Sequence, residues 1–216
     1  MCGRTSLFAD RATIERTFDV AFAPGHDYRP RYNVAPTETL SVVTNDAPET
    51  VDGAHWGFTA EEDVLINARS GTVAETGAFR EAWYERPCLV LSSGFYEWGD
   101  ERGGRRPYRI YRDGRSVFAM AGLWSSTDDG RTVTILTTGA DATVAPIHDR
   151  MPVLLDEAAA DEWLRADAER RAALCRSGGV DDLTADPISS RVNDPTTDDP
   201  GVIEPDDTEQ SGLDEF

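Results

Sequence analysis

Apolar positions along this chain recur with two periods, and the switches between them mark the elements. Over residues 10–18 the step from Ile14 to Phe18 puts two apolar side chains on one helical face, with Asp10 as N-cap. Residues 40–43 and 54–58 read as strands, and 63–67 as a short strand leading into Asn67-Ala68-Arg69. A helix is predicted over 78–85, stopped ahead of Pro87. The stretch 24–36 is irregular, and its Arg29, Arg31, Tyr32 and Asn33 make it a candidate binding wall.

From Cys88 the rhythm becomes that of a sheet. Residues 88–91 form a buried strand, Gly94-Phe95-Tyr96-Glu97-Trp98-Gly99 follows, and 100–106 reads as a polar hairpin loop before a strand over 107–112. Asp113-Gly114 and Asp129-Gly130 are turn signals that set off strands over 117–124 and 132–138. Helices are expected over 157–164 and 166–175, the second ending at Gly178-Gly179, with a last strand over 188–192. The pattern predicts a single α+β domain built on an antiparallel meander. It has no βαβ spacing, and neither a P-loop nor a strand-helix GxGxxG is present, so a nucleotide-binding α/β fold is excluded.

Charge changes the picture more than hydrophobicity does. The net charge is −19 over 216 residues, and all 21 basic residues are arginine. An acid excess without lysine resembles the proteins of salt-loving archaea. In molar salt the Debye length is about 3 Å or less, so an acidic total does not bar a nucleic-acid partner and only local contacts count. Nine of the acids fall after residue 193 with no arginine among them, which predicts a disordered acidic tail over 194–216 behind a folded body over 1–193. No stretch approaches 18 apolar residues and no secretion signal opens the chain, so a cytoplasmic monomer without a membrane span is expected. Three cysteines without CxxC spacing argue against a disulfide framework. A zinc site would draw on Cys2, His26, His55, Cys88 and His148, which lack metal-like spacing; no metal or cofactor is expected.

Removal of Met1 would leave Cys2 with a free α-amine and a thiol on adjacent carbons. Those two groups attack one aldehyde together and close a five-membered ring. With no lysine in the chain, an imine to an aldehyde must form on that terminus. Gly3 lets the terminus bend into a cavity, and Arg4 stands ready beside it for an anion. Under strand alternation Phe95 and Glu97 share one face, with Tyr96 and Trp98 on the other. A carboxylate among core aromatics has a raised pKa suited to acid–base work; the competing reading is an edge-strand glutamate facing solvent. His148 stands at the mouth of a buried strand, although a lone histidine is more often structural. Asn67 offers a neutral amide and Arg69 a guanidinium for phosphate, while Trp56 is either a base-stacking face or core.

Together, Met1-Cys2-Gly3-Arg4, Tyr32-Asn33-Val34-Ala35-Pro36, Trp56-Gly57-Phe58, Asn67-Ala68-Arg69, Gly94-Phe95-Tyr96-Glu97-Trp98, Ala121-Gly122-Leu123-Trp124 and His148-Asp149-Arg150-Met151-Pro152 resemble the SRAP (SOS response-associated peptidase) family. The motifs run in family order over residues 2–193. The resemblance implies a twisted, barrel-like, largely antiparallel β core with peripheral helices and a channel for single-stranded DNA. It implies an enzyme that removes its own Met1 by autoproteolysis and then captures abasic sites covalently through Cys2 as a thiazolidine. Carried over, Cys2 is the nucleophile, Asn67 positions its amine, Glu97 is the acid–base, and His148 assists sugar ring opening and the reverse step. Arg4, Arg69 and Arg150 match phosphate-binding positions, Trp56 an aromatic DNA contact, and Thr138 a pocket hydroxyl. Two departures stand out: Ser70-Gly71 where the family carries an acidic residue before Thr, and Ser92-Ser93 where it has a proline-bearing turn. The competing functions are a Cys2-dependent peptidase acting on other proteins and a non-covalent module for modified bases.

Overall fold

Alternation along the strands produces two apolar faces, and the architecture is the arrangement that covers both. The computed structural model describes residues 2–60, 63–101, 104–128, 130–175 and 179–205. Its first strands are β1 (Thr5–Leu7), β2 (Ala21–Phe22), β3 (Arg31–Val34), β4 (Thr39–Thr44) and β5 (Ala47–Trp56). Then come β6 (Phe58–Ala60), β7 (Asp63–Leu65), β8 (Asn67–Arg69), β9 (Pro87–Ser92) and β10 (Gly94–Glu101). The last are β11 (Gly104–Arg112), β12 (Phe118–Thr127), β13 (Gly130–Gly139), β14 (Arg150–Pro152), β15 (Leu154–Leu155) and β16 (Leu183–Pro187). Helix α1 (Arg11–Phe18) follows β1, α2 (Gly77–Glu85) follows β8, and α3 (Glu157–Arg165) and α4 (Ala168–Leu174) follow β15.

Five strands close on themselves. β9 pairs with β4 and β12, β4 with β5, and β12 with β13, while β13 meets β5 in parallel at Val133 and Trp56. The β14–β15 run pairs with both β13 and β12, and β8 lies parallel to β13 with Asn67 opposite Ile135. A second sheet, ordered β16-β11-β10-β1-β3, is antiparallel throughout. From the ring, Val42, Trp56, Val90, Met120 and Ile135 join Phe95, Ile110 and Val34 of the second sheet in one buried cluster. The alternate residues Val43, Leu89, Ala121, Leu123 and Leu136 form the other, against Ile14, Phe79, Trp83 and Trp163 of the helices. The chain thus has the expected α+β fold with a barrel-like core. No helix among the described residues is long and apolar enough to cross a membrane.

The helices start where local chemistry supplies a cap. Asp10, Asp156 and Asp167 each accept a hydrogen bond from the backbone N–H three residues on, satisfying one of the donors a helix start leaves open. α2 is finished differently: the buried Arg171 guanidinium donates to the carbonyls of Trp83 and Tyr84 at 2.6 and 3.0 Å. Where the chain crosses from the ring to the second sheet, Ser93 Oγ accepts from the Phe8 and Ala9 N–H groups and donates to the Ser116 carbonyl. Ser92-Ser93 therefore fastens the turn by hydrogen bonds.

Several expectations are corrected. The 88–138 run is not one meander: β10 and β11 belong to the second sheet, while β9, β12 and β13 build the ring. The strand expected over 54–58 breaks at Gly57, whose φ of 137° favours glycine and whose added Cβ would lie 2.3 Å from Val64. The hairpin at 100–106 is mostly strand, because Asp100 stands opposite Arg105 and Glu101 opposite Gly104. Among the described residues the last strand is Leu183–Pro187, paired with β11, and Ser190–Asn193 is a 3₁₀ turn. Residues 194–205 are packed against the body: Val202 is fully buried and Asp198 accepts from the Tyr32 and Asn33 N–H groups. The body therefore continues past 193. The Asp129 turn residue, the Gly178 stop and the tail over 206–216 lie outside the described residues.

Candidate functional site

The N-terminal segment runs antiparallel to β10, with Thr5 opposite Phe95 and Ser6 opposite Gly94. The pairing continues as the Tyr96 N–H donates to the Arg4 carbonyl at 3.0 Å, and that register carries Gly3 alongside Glu97. Cys2 is wholly buried in the same cluster as Trp56, Phe95 and Ile135, so the terminus is threaded between the two sheets. Its Sγ points back to the Arg4 carbonyl at 3.7 Å. Asn67 Nδ2 donates to the Cys2 carbonyl at 2.8 Å. The Asn67 Oδ1 is also buried, and no hydrogen-bond partner meets it among the described residues.

Glu97 is 2% exposed on the inward face of β10, which settles the sequence alternatives in favour of the buried reading. Tyr96 and Trp98 take the outer face as alternation requires. Burial pushes the Glu97 carboxyl up from its ordinary value, against the pull of the positive chain terminus and of His148. Burial, followed by the Glu97 charge, likewise pushes the Cys2 thiol up, so near neutrality it is held as a thiol and not a thiolate. The Glu97 charge acts on Cys2 and the His148 charge on Glu97, and Asn67 is tied to Cys2 by its hydrogen bond, so the four residues lie near one another. His148 is half-buried just before β14, its Nδ1 3.0 Å from both the N–H and the carbonyl of Arg150 and 3.2 Å from Asp149 Oδ1. These contacts fix the ring.

Arg69 on β8 and Arg150 on β14 stand beside β13, opposite Thr137 and Gly139. Arg150 Nη2 donates to the Thr137 carbonyl at 2.6 Å and to its hydroxyl at 2.9 Å. Its pKa is lowered, first by burial and then by the charge of Arg69. Arg69 is exposed and makes no ion pair among the described residues. Two neighbouring guanidiniums repel each other, which in a chain of net charge −19 suits a place where an anion belongs.

Three expected DNA contacts do not join Arg69 and Arg150. The Arg4 guanidinium turns away, its Nη1 donating to Asn33 Oδ1 at 2.8 Å and to the Val192 carbonyl at 3.0 Å. Trp56 is wholly buried with its indole N–H on the Ile66 carbonyl at 3.0 Å, so its ring is core and presents no face for a base. Thr138 is half-buried opposite Met151, and the hydroxyl that engages Arg150 belongs to Thr137. Neighbouring strand residues face opposite ways; counting by twos from Ile135, which stands opposite Asn67, selects Thr137.

The model of the SRAP family, SOS response associated peptidase, matches residues 1–195. The chain belongs to the SRAP family. YoqW of Bacillus subtilis, named an abasic site processing protein, is 34% identical over 94% of this chain and 99% of its own. YedK of Escherichia coli, bearing the same description, is 32% identical over 95% of this chain and 100% of its own. A solved protein from Bacteroides thetaiotaomicron shares the fold, with a TM-score of 0.82 at 24% identity, covering 95% of this chain and 100% of that one. The matched span takes in every strand from β1 to β16 and ends within the segment that packs against β3.

Proposed function

We propose that this SRAP protein processes abasic sites in single-stranded DNA by covalent capture, through a thiazolidine on Cys2 after Met1 is removed. The observation that carries this reading is the Asn67 amide holding the Cys2 carbonyl beside the buried Glu97 carboxyl. The relatives named abasic site processing proteins supply the substrate class.

The chemistry balances without an outside reactant. A ring-opened abasic nucleotide presents an aldehyde, and the Cys2 ammonium, with an ordinary pKa of about 7.7–8.0, must lose a proton to attack it. Glu97, its affinity for a proton raised by burial, takes that proton. The amine adds to the aldehyde carbon, and the carbinolamine hydroxyl leaves as water with the proton Glu97 now returns. The Cys2 thiol adds last to the imine carbon, its proton passing to nitrogen. One C–N and one C–S bond form, one C=O is lost, and one water is released. Because the thiol is held protonated, the amine leads and the sulfur follows. Ring closure within one residue has an effective molarity on the order of 10⁵ M or more, which favours a lasting product. Asn67 Oδ1 is an acceptor for the freed amine, and His148 serves the sugar ring oxygen. Arg69 and Arg150 grip the flanking phosphates without reading sequence.

Incubation with an oligonucleotide carrying one abasic site should give an adduct that survives denaturing electrophoresis. Cys2→Ala should abolish it. A mature wild-type chain that forms no adduct contradicts the proposal, and hydrolysis of added peptides by Cys2→Ser would favour the peptidase reading.

A further inference from the structure

The residues that hold Arg4 lead to the C-terminal segment. Asn33 in β3 is fully buried, and its Oδ1 accepts from Arg4 Nη1 at 2.8 Å. Its Nδ2 donates to three carbonyls of that segment, Val192 at 3.3 Å, Asp194 at 3.0 Å and Thr197 at 2.8 Å. One amide therefore joins residue 4 to residues 192–197. Asp198 closes the joint from below, accepting from the Tyr32 N–H at 2.6 Å and the Asn33 N–H at 3.0 Å and pairing with Arg31.

The segment is itself well built. Ser189 and Asp199 cap its two 3₁₀ turns, Ser190–Asn193 and Pro200–Ile203, and Arg191 pairs with Asp199 at 2.7 Å. Val192 and Val202 are fully buried with Tyr96, and the Trp98 indole donates to Asn193 Oδ1 at 2.7 Å. Tyr96 and Trp98 are the two neighbours of Glu97 on the outer face of β10. One segment thus braces both the strand that carries the general base and the residue next but one to the nucleophile.

We propose that residues 190–203 form a clasp that positions the N-terminal nucleophile, with Asn33 as its positioning residue. Between Arg4 and Cys2 lies only Gly3, the most permissive residue for backbone freedom. Beyond the Tyr96 N–H bond to the Arg4 carbonyl, side chains limit that freedom at both ends: Asn67 at the Cys2 carbonyl, and Asn33 with the Val192 carbonyl at the Arg4 guanidinium. Loss of the Asn33 side chain removes one acceptor of the Arg4 guanidinium and unfastens the Val192 carbonyl that is the other, so Arg4 is held mainly by its backbone bond to Tyr96 and the placement of the Cys2 amine loosens. The inference rests on the proposed function for its reaction, but the clasp is independent of any contact with DNA.

Asn33→Ala removes the joint. With abasic oligonucleotide at saturation, its single-turnover crosslinking rate should fall about 10- to 100-fold, since misplacing a reacting group by about 1 Å costs that much. Its dissociation constant for an undamaged oligonucleotide should stay within about 2-fold, because Arg69 and Arg150 are untouched. An unchanged crosslinking rate, or a rate and affinity that fall together, overturns the clasp. Should Asn33→Ala fail to fold, Asp198→Asn is read by the same two measurements and the same split is required. A parallel arm follows thiazolidine formation on Cys2 with glyoxylate, a small aldehyde that needs no DNA. If the wild-type chain captures no abasic site, the proposed function falls while this arm still decides the clasp. A slower glyoxylate reaction in Asn33→Ala supports the clasp and an equal one refutes it.

Discussion

A carboxyl that is 2% exposed beside a wholly buried Cys2 is destabilising when ionised, and the same burial makes it a stronger base. Its pKa in the folded state stands above that in the unfolded chain. The folded state therefore binds the proton more tightly, and stability falls as pH rises from the unfolded value through the folded one. Glu97→Gln should raise the melting temperature by a few degrees at about pH 8, with the gain vanishing near about pH 4. The same variant should lower the crosslinking rate by about 100-fold or more, as loss of a general acid–base does. In the wild type the rate should rise with pH as Glu97 ionises. Thermal scans and single-turnover rates across pH check both halves, and an equal melting temperature at the higher pH would contradict the buried-charge account. Asn67→Ala leaves the Cys2 carbonyl without its donor and should slow the crosslink by about 10-fold or more at unchanged DNA affinity, read by the same rate-against-affinity comparison. The face that Glu97 shares with Phe95 was legible from strand alternation, while the meeting of Asn67 with Cys2, 65 residues apart, followed only from the motifs taken together. Thr137 was not legible, because only the strand register separates it from Thr138. The internal engagement of Arg4 was not, because its partners are 29 and 188 residues away.

Among the elements, the helices were legible to within two residues because their caps and apolar steps are local. Asp10 caps α1 and Ile14 is its buried residue, as the four-residue spacing required. The sheet partners were less so. Asp100 and Arg105 read as loop residues until they stand opposite each other across β10 and β11, where opposite charges support the pairing. β16 lacks a clean alternation, since every residue in it is half-buried, and the more apolar 188–192 stretch drew the strand assignment away from it. α2 depends on Arg171, whose guanidinium reaches the Trp83, Tyr84 and Ala166 carbonyls and lies 5.6 Å from the centre of the Trp83 ring. Arg171→Ala leaves these carbonyls without their donor and should cost about 1–3 kcal/mol in urea unfolding, more than a surface arginine would.

For the whole molecule, the acidic total says little about the partner, because in the proposed function binding is set by two arginines, Arg69 and Arg150. Arg69→Ala and Arg150→Ala should each weaken single-stranded DNA binding and reduce the slope of log affinity against log salt by about 0.7. Arg4→Ala should leave that slope unchanged, since its guanidinium faces Asn33 and Val192. Salt titrations of all three variants separate the two kinds of arginine. The central claim, capture of an abasic aldehyde by a mature Cys2 terminus, is tested most directly by intact-mass measurement before and after incubation with abasic single-stranded DNA. The account predicts a chain lighter by one methionine residue that then gains the mass of the oligonucleotide less one water. A chain that keeps Met1, or a mature chain that gains no mass, would contradict it.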